Sequence, residues 1–291
     1  MIRMDGLGRS VACAALLAGL WGAPAALALT GGAGPQEMAA DAPWSGVLSL
    51  DSGGRLYSGV LIGPEHVLTA VHAVNIAEPG RMSFRSALGG GFVATGTEVH
   101  VNPAYTGTTT GNAPGDPSVH ADLAIVRLSR PAPKALQVPR IFTGALLGRV
   151  ITLVSHGGST TLVTTGENRV DAVFADVTGR PATYLFDFDG PTLESNRIGP
   201  PVPANGTLGA RREATLVNGD SGSAAFVQVD GQWWLAGLNS FEINFAAGPR
   251  ARGAHGTGAG GIVLSEHLGW MREVLAAPPK PAAASGAKAA R

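Results

Sequence analysis

Asn218-Gly219-Asp220-Ser221-Gly222-Ser223-Ala224 is the stretch on which the interpretation of the whole chain depends. A serine among small residues is a weak signal when it stands alone, because Gly-Asp-Ser-Gly also forms ordinary turns. Two earlier stretches strengthen it: residues 67–73 place His72 at the end of an apolar strand, and residues 121–128 place Asp122 at the start of another. A histidine, an aspartate and a serine at strand ends are the residue types of a nucleophilic catalytic site.

The chemistry of such a site assigns a role to each of the three side chains. A serine hydroxyl is a weak nucleophile at neutral pH and needs a base within hydrogen-bonding reach. We expect His72 to take the proton of Ser221, and Asp122 to hold the other ring nitrogen of the histidine. Taken singly, His72 fits a core histidine and Asp122 a turn residue. The three strings together favour catalysis.

The order of these residues along the chain resembles that of the chymotrypsin/trypsin-like serine proteases, of the secreted, bacterial, disulfide-free type. The family's Leu-Thr-Ala-Ala-His is matched by Leu-Thr-Ala-Val-His at residues 68–72, and its Asp-Ile-Ala-Leu-Leu by residues 122–126. Its Gly-Asp-Ser-Gly-Gly-Pro is matched at residues 219–224 except for Ser223 and Ala224. The resemblance implies an all-β fold of two packed antiparallel six-stranded Greek-key β-barrels, followed by a C-terminal α-helix.

The resemblance also implies how the nucleophile is supported. The backbone N–H groups of Gly219 and Ser221 would bind the oxyanion that forms during catalysis. The amino group of a new N-terminus at Leu29 would turn inward and form an activating ion pair with Asp220. The remaining positions implied by the family are those that bind substrate: Thr215, Asn218, Ser240, Phe241, Glu242 and Gly261.

Two of these positions bear on substrate choice. Trypsin-like enzymes carry an aspartate where this chain has Thr215, and that aspartate binds Lys or Arg. Glu242 replaces a family glycine at the mouth of the pocket. A large side chain there favours small or medium apolar residues before the scissile bond, whereas its charge favours a basic residue. We expect the apolar preference.

Length and composition suit this interpretation. The chain has 291 residues, which predicts about two domains. We place one barrel, with His72 and Asp122, at residues 29–140, and the second barrel with the helix and Ser221 at residues 141–277. The formal net charge is zero, so no nucleic-acid partner is indicated. With 42 glycines and 6% aromatic residues, the chain favours short strands joined by tight turns.

Alternation of apolar and polar residues predicts the strands, and an apolar stripe predicts a helix at residues 266–276. His156 is interpreted as structural, near the pocket for the new N-terminus. Asp187 and Asp189 allow a calcium ion, but a solvated turn is the favoured interpretation, and we predict no metal. A tail at 278–291 is expected to be disordered. The predicted strands are 46–50, 56–62, 67–70, 92–101, 123–128, 150–155, 160–165, 169–177, 183–188, 224–229, 233–240 and 261–265.

Residues 1–28 have the features of a secretory signal. Arg3 and Arg9 precede a short apolar run, and Ala26-Leu27-Ala28 forms a small-x-small cleavage site. A membrane anchor is the alternative, but a span needs about 20 apolar residues. The only cysteine, Cys13, lies inside this segment, so the mature chain would contain no disulfide. We expect a secreted or periplasmic protein.

Cleavage after Ala28 would expose Leu29-Thr30-Gly31-Gly32, which resembles the activated N-terminus of the family. Export itself would then activate the protein. The alternative is that residues 30–35 form an irregular leader and that Asp220 pairs elsewhere.

The expected function is hydrolysis of peptide bonds through an acyl-enzyme intermediate, without a cofactor. Protein or peptide substrates would be the partners of a monomer that has no stable membrane association after signal cleavage. Two alternatives stay open: an esterase that uses the same three residues, and a catalytically silent homologue that binds a partner.

Overall fold

Short antiparallel strands dominate the computed structural model of the protein, which describes residues 28–105, 107, 121–176, 178–192, 195–198, 207–209, 211–245 and 251–280. Residues 1–27, almost all of the predicted signal sequence, and residues 281–291, most of the predicted tail, lie outside the described residues. No helix among the described residues is long and apolar enough to cross a membrane.

The first barrel is closed by six strands: β3 Val47–Ser52, β4 Arg55–Gly63, β5 His66–Thr69, β6 Met82–Ser86, β7 Phe92–Val101 and β8 Ala124–Leu128. Their order around the barrel is β3-β4-β5-β8-β7-β6. Sequence reasoning located all of them except β6. Alternation was the signal that could have found β6, because Met82, Phe84 and Ser86 are buried while Ser83 and Arg85 are partly exposed. Two 3₁₀ turns, Val71–Ala73 and Pro79–Arg81, and a short turn, α1 Leu88–Gly91, connect these strands.

The second barrel is closed by a bent strand. It contains β9 Val150–Ser155, β10 Leu162–Arg169, β11 Ala172–Ala175, β12 Pro181–Asp187, β14 Ala224–Val229, β15 Gln232–Asn244 and β16 Thr257–Val263. The order is β11-β12-β16-β15-β14-β9-β10. Only Val170 and Asp171 separate β10 from β11, and their amides donate to Arg149 and Leu185 on either side. Strands that bend in this way turn the corners of barrels. Counted as one strand, β10 and β11 complete a ring of six.

The N-terminal segment is a further part of the second barrel. Thr30–Gly31 forms β1, which pairs with β13 (Ala214–Thr215), and Ala33–Glu37 forms β2, which pairs with β10. The sequence predicted no strand here. A segment with exposed side chains shows no burial pattern, yet it satisfies the unpaired backbone groups along the edge of β10.

A common core joins the two barrels and the C-terminal helix. The 3₁₀ turn Leu264–His267 leads into α2, Leu268–Ala276, close to the predicted 266–276. Met271 and Val274 of α2 pack in the cluster that includes Leu61 of the first barrel and Phe226 of the second. The fold class predicted from the sequence is confirmed.

Candidate active site

The structure brings His72, Asp122 and Ser221 together. His72 lies in the turn after β5, Asp122 lies two residues before β8, and Ser221 lies in the tight turn before β14. His72 Nδ1 is 2.6 Å from Asp122 Oδ2, and His72 Nε2 is 2.7 Å from Ser221 Oγ. The backbone N–H of Ser58 on β4 donates to the carbonyl of Ser221 at 3.1 Å, so the first barrel also holds the serine turn in place.

The Asp122 carboxylate is fixed from three sides. Besides the His72 ring, it accepts the His72 backbone N–H at 3.2 Å and the Ser240 hydroxyl at 2.6 Å. Burial raises the pKa of Asp122, but the hydrogen bond and charge of His72 outweigh burial and hold that pKa below its ordinary value. An ionised carboxylate only accepts hydrogen bonds, so Nδ1 of His72 carries a proton and Nε2 is free to accept from Ser221.

The pKa of His72 moves in the opposite direction. Burial lowers it, yet the hydrogen bond and charge of Asp122 raise it above its ordinary value. A raised pKa means that the positively charged imidazolium is stabilised, which is the form that a base takes after it accepts a proton.

Two backbone N–H groups in the turn that holds Ser221 have no hydrogen-bond acceptor among the described residues. Gly219 has φ +98°, a conformation that side-chain-bearing residues rarely adopt. The turn is closed by bonds from Asp220 N to Val217 O and from Ser223 N to Asp220 O, each 3.0 Å. Within the part of the chain that the structure describes, the amides of Gly219 and Ser221 donate to no acceptor. They are the donors available to a developing oxyanion.

Asp220 lies beneath this turn, fully buried, and contacts the predicted residue Leu29. Its carboxylate accepts the Leu29 backbone N–H at 3.1 Å, the Val217 N–H at 2.7 Å and the Ser155 hydroxyl at 2.6 Å. Burial raises the pKa of Asp220 to about 7, although these hydrogen bonds act to lower it. All three donors are neutral, and among the described residues no cation pairs with the Asp220 carboxylate.

A buried polar chain behind Ser221 was missed by sequence reasoning. Asn239 donates through Nδ2 to Ser223 Oγ at 2.8 Å, and its Oδ1 accepts from the Tyr184 hydroxyl at 2.6 Å. The Gly222 N–H donates to the Asn239 carbonyl at 2.9 Å. The available signal was the departure from the family at Ser223, since a buried hydroxyl requires a polar neighbour.

The predicted substrate-binding residues lie at different depths. Thr215 is fully buried on β13, and its hydroxyl has no partner among the described residues. Gly261 packs so closely that an added Cβ would lie 2.5 Å from the Tyr184 hydroxyl. Phe241 is buried, and its ring leaves no room for a Cβ on Gly260.

Asn218, Ser240 and Glu242 are the predicted positions that reach the surface. Ser240 is bonded to Asp122, as described above. Asn218 and Glu242 are linked by a residue that sequence reasoning missed, Arg252, which donates to both side chains.

Two further predictions concern the second barrel. His156 is buried, with its ring between the carbonyls of Leu162 at 2.8 Å and Val47 at 3.2 Å, and burial lowers its pKa. Asp187 and Asp189 are both buried, so the expectation of a solvated turn is wrong. Asp187 accepts backbone N–H groups, and burial raises the pKa of Asp189 to about 6. In the described ranges no three His, Cys, Asp or Glu side chains are arranged to hold a metal ion.

Comparison with known proteins gives the family. A family model described as Trypsin matches residues 31–178, just over half of the chain. The chain therefore belongs to the trypsin family, which confirms the resemblance seen in its sequence.

Two known proteins show how far the likeness extends. Vitamin K-dependent protein C of Rattus norvegicus is 29% identical over an alignment of 217 residues that covers 69% of this chain and 43% of that protein, so the chain spans less than half of that relative. A solved structure of Glu endopeptidase in complex with MPD superposes with a TM-score of 0.52, covering 83% of this chain and 95% of that one. At 16% identity, this likeness shows the fold alone.

Proposed function

We propose that the protein is a serine endopeptidase that hydrolyses peptide bonds through an acyl-enzyme intermediate. The observation that carries the proposal is the unbroken line of hydrogen bonds from Ser221 through His72 to Asp122, at 2.7 and 2.6 Å. His72 takes the Ser221 proton as the hydroxyl attacks the substrate carbonyl, and then gives the proton to the leaving amine. The unused amides of Gly219 and Ser221 stabilise the oxyanion, and each such donor is worth about 2.7–4 kcal/mol in this type of site.

The second part of the proposal is that the enzyme is exported and is activated by the cut after Ala28. The support is the contact of the Leu29 nitrogen with Asp220 at 3.1 Å, since cleavage would turn that neutral amide into an ammonium group. Ala28 and Leu29 are both 4% exposed in the folded chain. The bond between them is inaccessible there, so the cut has to come before folding, as it does for a protein crossing a membrane.

The third part is a preference for a small or medium apolar residue before the scissile bond. Support comes from the filled space beneath the predicted pocket. The Tyr184 side chain occupies the space beside Gly261, the Asn239 amide is committed to Ser223 and Tyr184, and the Thr215 hydroxyl is sealed from solvent. A shallow pocket accepts a short side chain and excludes a long one.

A fluorophosphonate probe, which reacts with an activated serine, tests the proposal. The protein beginning at Leu29 should be labelled rapidly, and Ser221→Ala should not be labelled. A variant that keeps Ala28 in front of Leu29 should fold and be labelled more slowly, because its Asp220 lacks the ammonium partner.

The result that would overturn the proposal is absence of labelling in a folded protein that begins at Leu29, which would favour the silent homologue. Digestion of an unfolded protein substrate then separates an endopeptidase from an esterase, since an esterase would accept the probe but leave peptide bonds intact. Equal labelling with and without Ala28 would contradict activation by cleavage and leave the triad assignment standing.

A further inference from the structure

Arg252 joins two segments of the second barrel at the edge of the candidate active site. Its Nη1 donates to Asn218 Oδ1 at 2.6 Å and to Glu242 Oε1 at 3.1 Å. Asn218 directly precedes Gly219 of the nucleophile turn. Glu242 lies on β15, two residues beyond Ser240, whose hydroxyl bonds Asp122. One guanidinium therefore connects the two sides of the predicted pocket mouth.

The backbone that presents Arg252 is held by packing. Gly253 has φ +69°, and an added Cβ would lie 2.4 Å from Thr30 Oγ1 and 2.9 Å from Val217 Cγ1. The turn continues with hydrogen bonds from Ala254 N to Ala251 O and from Thr257 N to Ala254 O, both 3.1 Å. The side chain of Arg252 is nevertheless 64% exposed, so a fixed turn presents the guanidinium at the surface.

The electrostatic effect of Arg252 falls on Glu242. The Glu242 side chain is 22% exposed, and its charge is close enough to raise the pKa of the buried Asp220. Without Arg252, a partly buried carboxylate would stand alone at the pocket mouth and attract a positively charged side chain. With Arg252, the local charges cancel. An exposed ion pair adds little to folding stability. The expected effect of Arg252 is therefore on the charge that a substrate meets at the pocket mouth.

We propose that Arg252 determines substrate choice: by pairing with Glu242 and tying it to Asn218, it disfavours substrates with Lys or Arg before the scissile bond. This inference rests on the proposed endopeptidase function. Arg252 acts by neutralising the attraction of Glu242 for a basic side chain. It adds no contact to the preferred substrates.

The test uses the protein that begins at Leu29 and peptides that differ only in the residue before the scissile bond: Ala, Lys or Glu. Arg252→Ala should raise the Lys-to-Ala ratio of kcat/KM about tenfold, because Glu242 then acts as a free charge. The double variant Arg252→Ala/Glu242→Ala should return that ratio to the wild-type value. Glu242→Ala alone should raise the Glu-to-Ala ratio instead, because Arg252 is then unpaired.

A matched control is Arg81→Ala. Arg81, whose side chain is about as exposed as that of Arg252, pairs with the more exposed Glu78 at 3.0 Å on the first barrel, and its loss should leave all ratios unchanged. An equal shift in this control would show a non-local effect and overturn the proposal.

The proposal is also overturned if folded Arg252→Ala keeps the wild-type ratio, or if the double variant keeps the raised one. Should Arg252→Ala fail to fold, Arg252→Gln, which keeps hydrogen-bond donors without the charge, is measured against the same two outcomes. Failure of the endopeptidase function itself is recognised separately, since the wild-type protein would then cleave none of the three peptides, whether or not it reacts with the fluorophosphonate probe.

Discussion

Asp122 and Asp220 are both buried aspartates within the same site, yet their pKa values move in opposite directions. Asp122 faces the ring of His72, and its pKa is lowered despite burial. The donors that the described part of the chain offers to Asp220 are all neutral, and burial raises its pKa to about 7. The comparison shows that the partner, more than the depth of burial, decides whether a buried carboxylate is charged.

The two aspartates also differ in what they still lack. The surroundings of Asp122 are complete, since His72 and Ser240 are already in place. Asp220 has no cation as a partner among the described residues. The Leu29 nitrogen, which already donates to it, would become one if the chain were cleaved before Leu29. A free amino group has a pKa of about 7.7–8.0, and a buried carboxylate would raise it further. After cleavage before Leu29, Asp220 would therefore be an ionised buried carboxylate that is stabilised by its partner, as Asp122 is by His72.

The largest effect is expected from Asp122→Asn, which replaces the ionised carboxylate beside His72 by a neutral amide. The amide cannot hold His72 in the tautomer that accepts from Ser221, so kcat should fall by on the order of 10⁴-fold. Peptide hydrolysis and urea unfolding of the same sample measure it. A loss of less than about tenfold would contradict the role of Asp122, because the family's triad predicts much more.

An intermediate effect is expected in the pH dependence of stability, which sharpens the comparison at Asp220. With Ala28 retained, the folded pKa of about 7 lies above the ordinary 3.8, so the folded state holds a proton that the unfolded state releases. Stability is then present at low pH and is lost as pH rises from about 4 to about 7, by up to roughly 4 kcal/mol.

In the protein that begins at Leu29, the ammonium group lowers the pKa of Asp220, and this loss should be small. Urea unfolding of both proteins across that pH range measures the difference, with Ser221→Ala in each to prevent self-cleavage. Asp220→Asn is the control, because it should remove the difference between the two proteins. Parallel pH profiles without that substitution would contradict the account of Asp220.

The smallest effects are expected from two matched serines. Ser240 and Ser155 each donate a 2.6 Å hydroxyl bond, Ser240 to Asp122 and Ser155 to Asp220. Ser240→Ala should lower kcat by about tenfold with little change in stability, whereas Ser155→Ala should cost about 1 kcal/mol of stability. Kinetics and urea unfolding of both variants measure these two effects. A loss of kcat in Ser155→Ala and a loss of stability in Ser240→Ala would contradict the roles assigned to the two aspartates.

Local patterns explain what could be predicted from the sequence. His72, Asp122 and Ser221 each lie in a short string that is tied to a strand end, so their positions follow from neighbours along the chain. The contact between Leu29 and Asp220 was predicted in the same way, from the resemblance at both ends. The individual strands followed from alternation and tight turns, whereas the arrangement in two barrels was implied by the resemblance to the family.

Contacts made by the folded chain explain what could not be predicted. The bond from Tyr184 to Asn239 joins residues on β12 and β15, and neither has a motif around it. In the sequence, Arg252 cannot be distinguished from other exposed arginines. Its position is defined only in the folded chain, where the turn at Gly253 packs against Thr30 and Val217. Such contacts depend on how loops pack against the assembled sheet. Hydrophobic periodicity predicts the strands of the sheet but not this packing.

Strand β2 has a consequence for the proposed endopeptidase activity. All five of its side chains, Ala33–Glu37, are exposed, which would ordinarily make the segment an easy target. Peptidases take substrates as extended chains whose backbone is free to pair with the cleft. The β2 backbone is already paired with β10, so a second copy with the proposed activity would first have to separate the two strands. The pairing would thereby protect the exposed N-terminal segment from self-digestion.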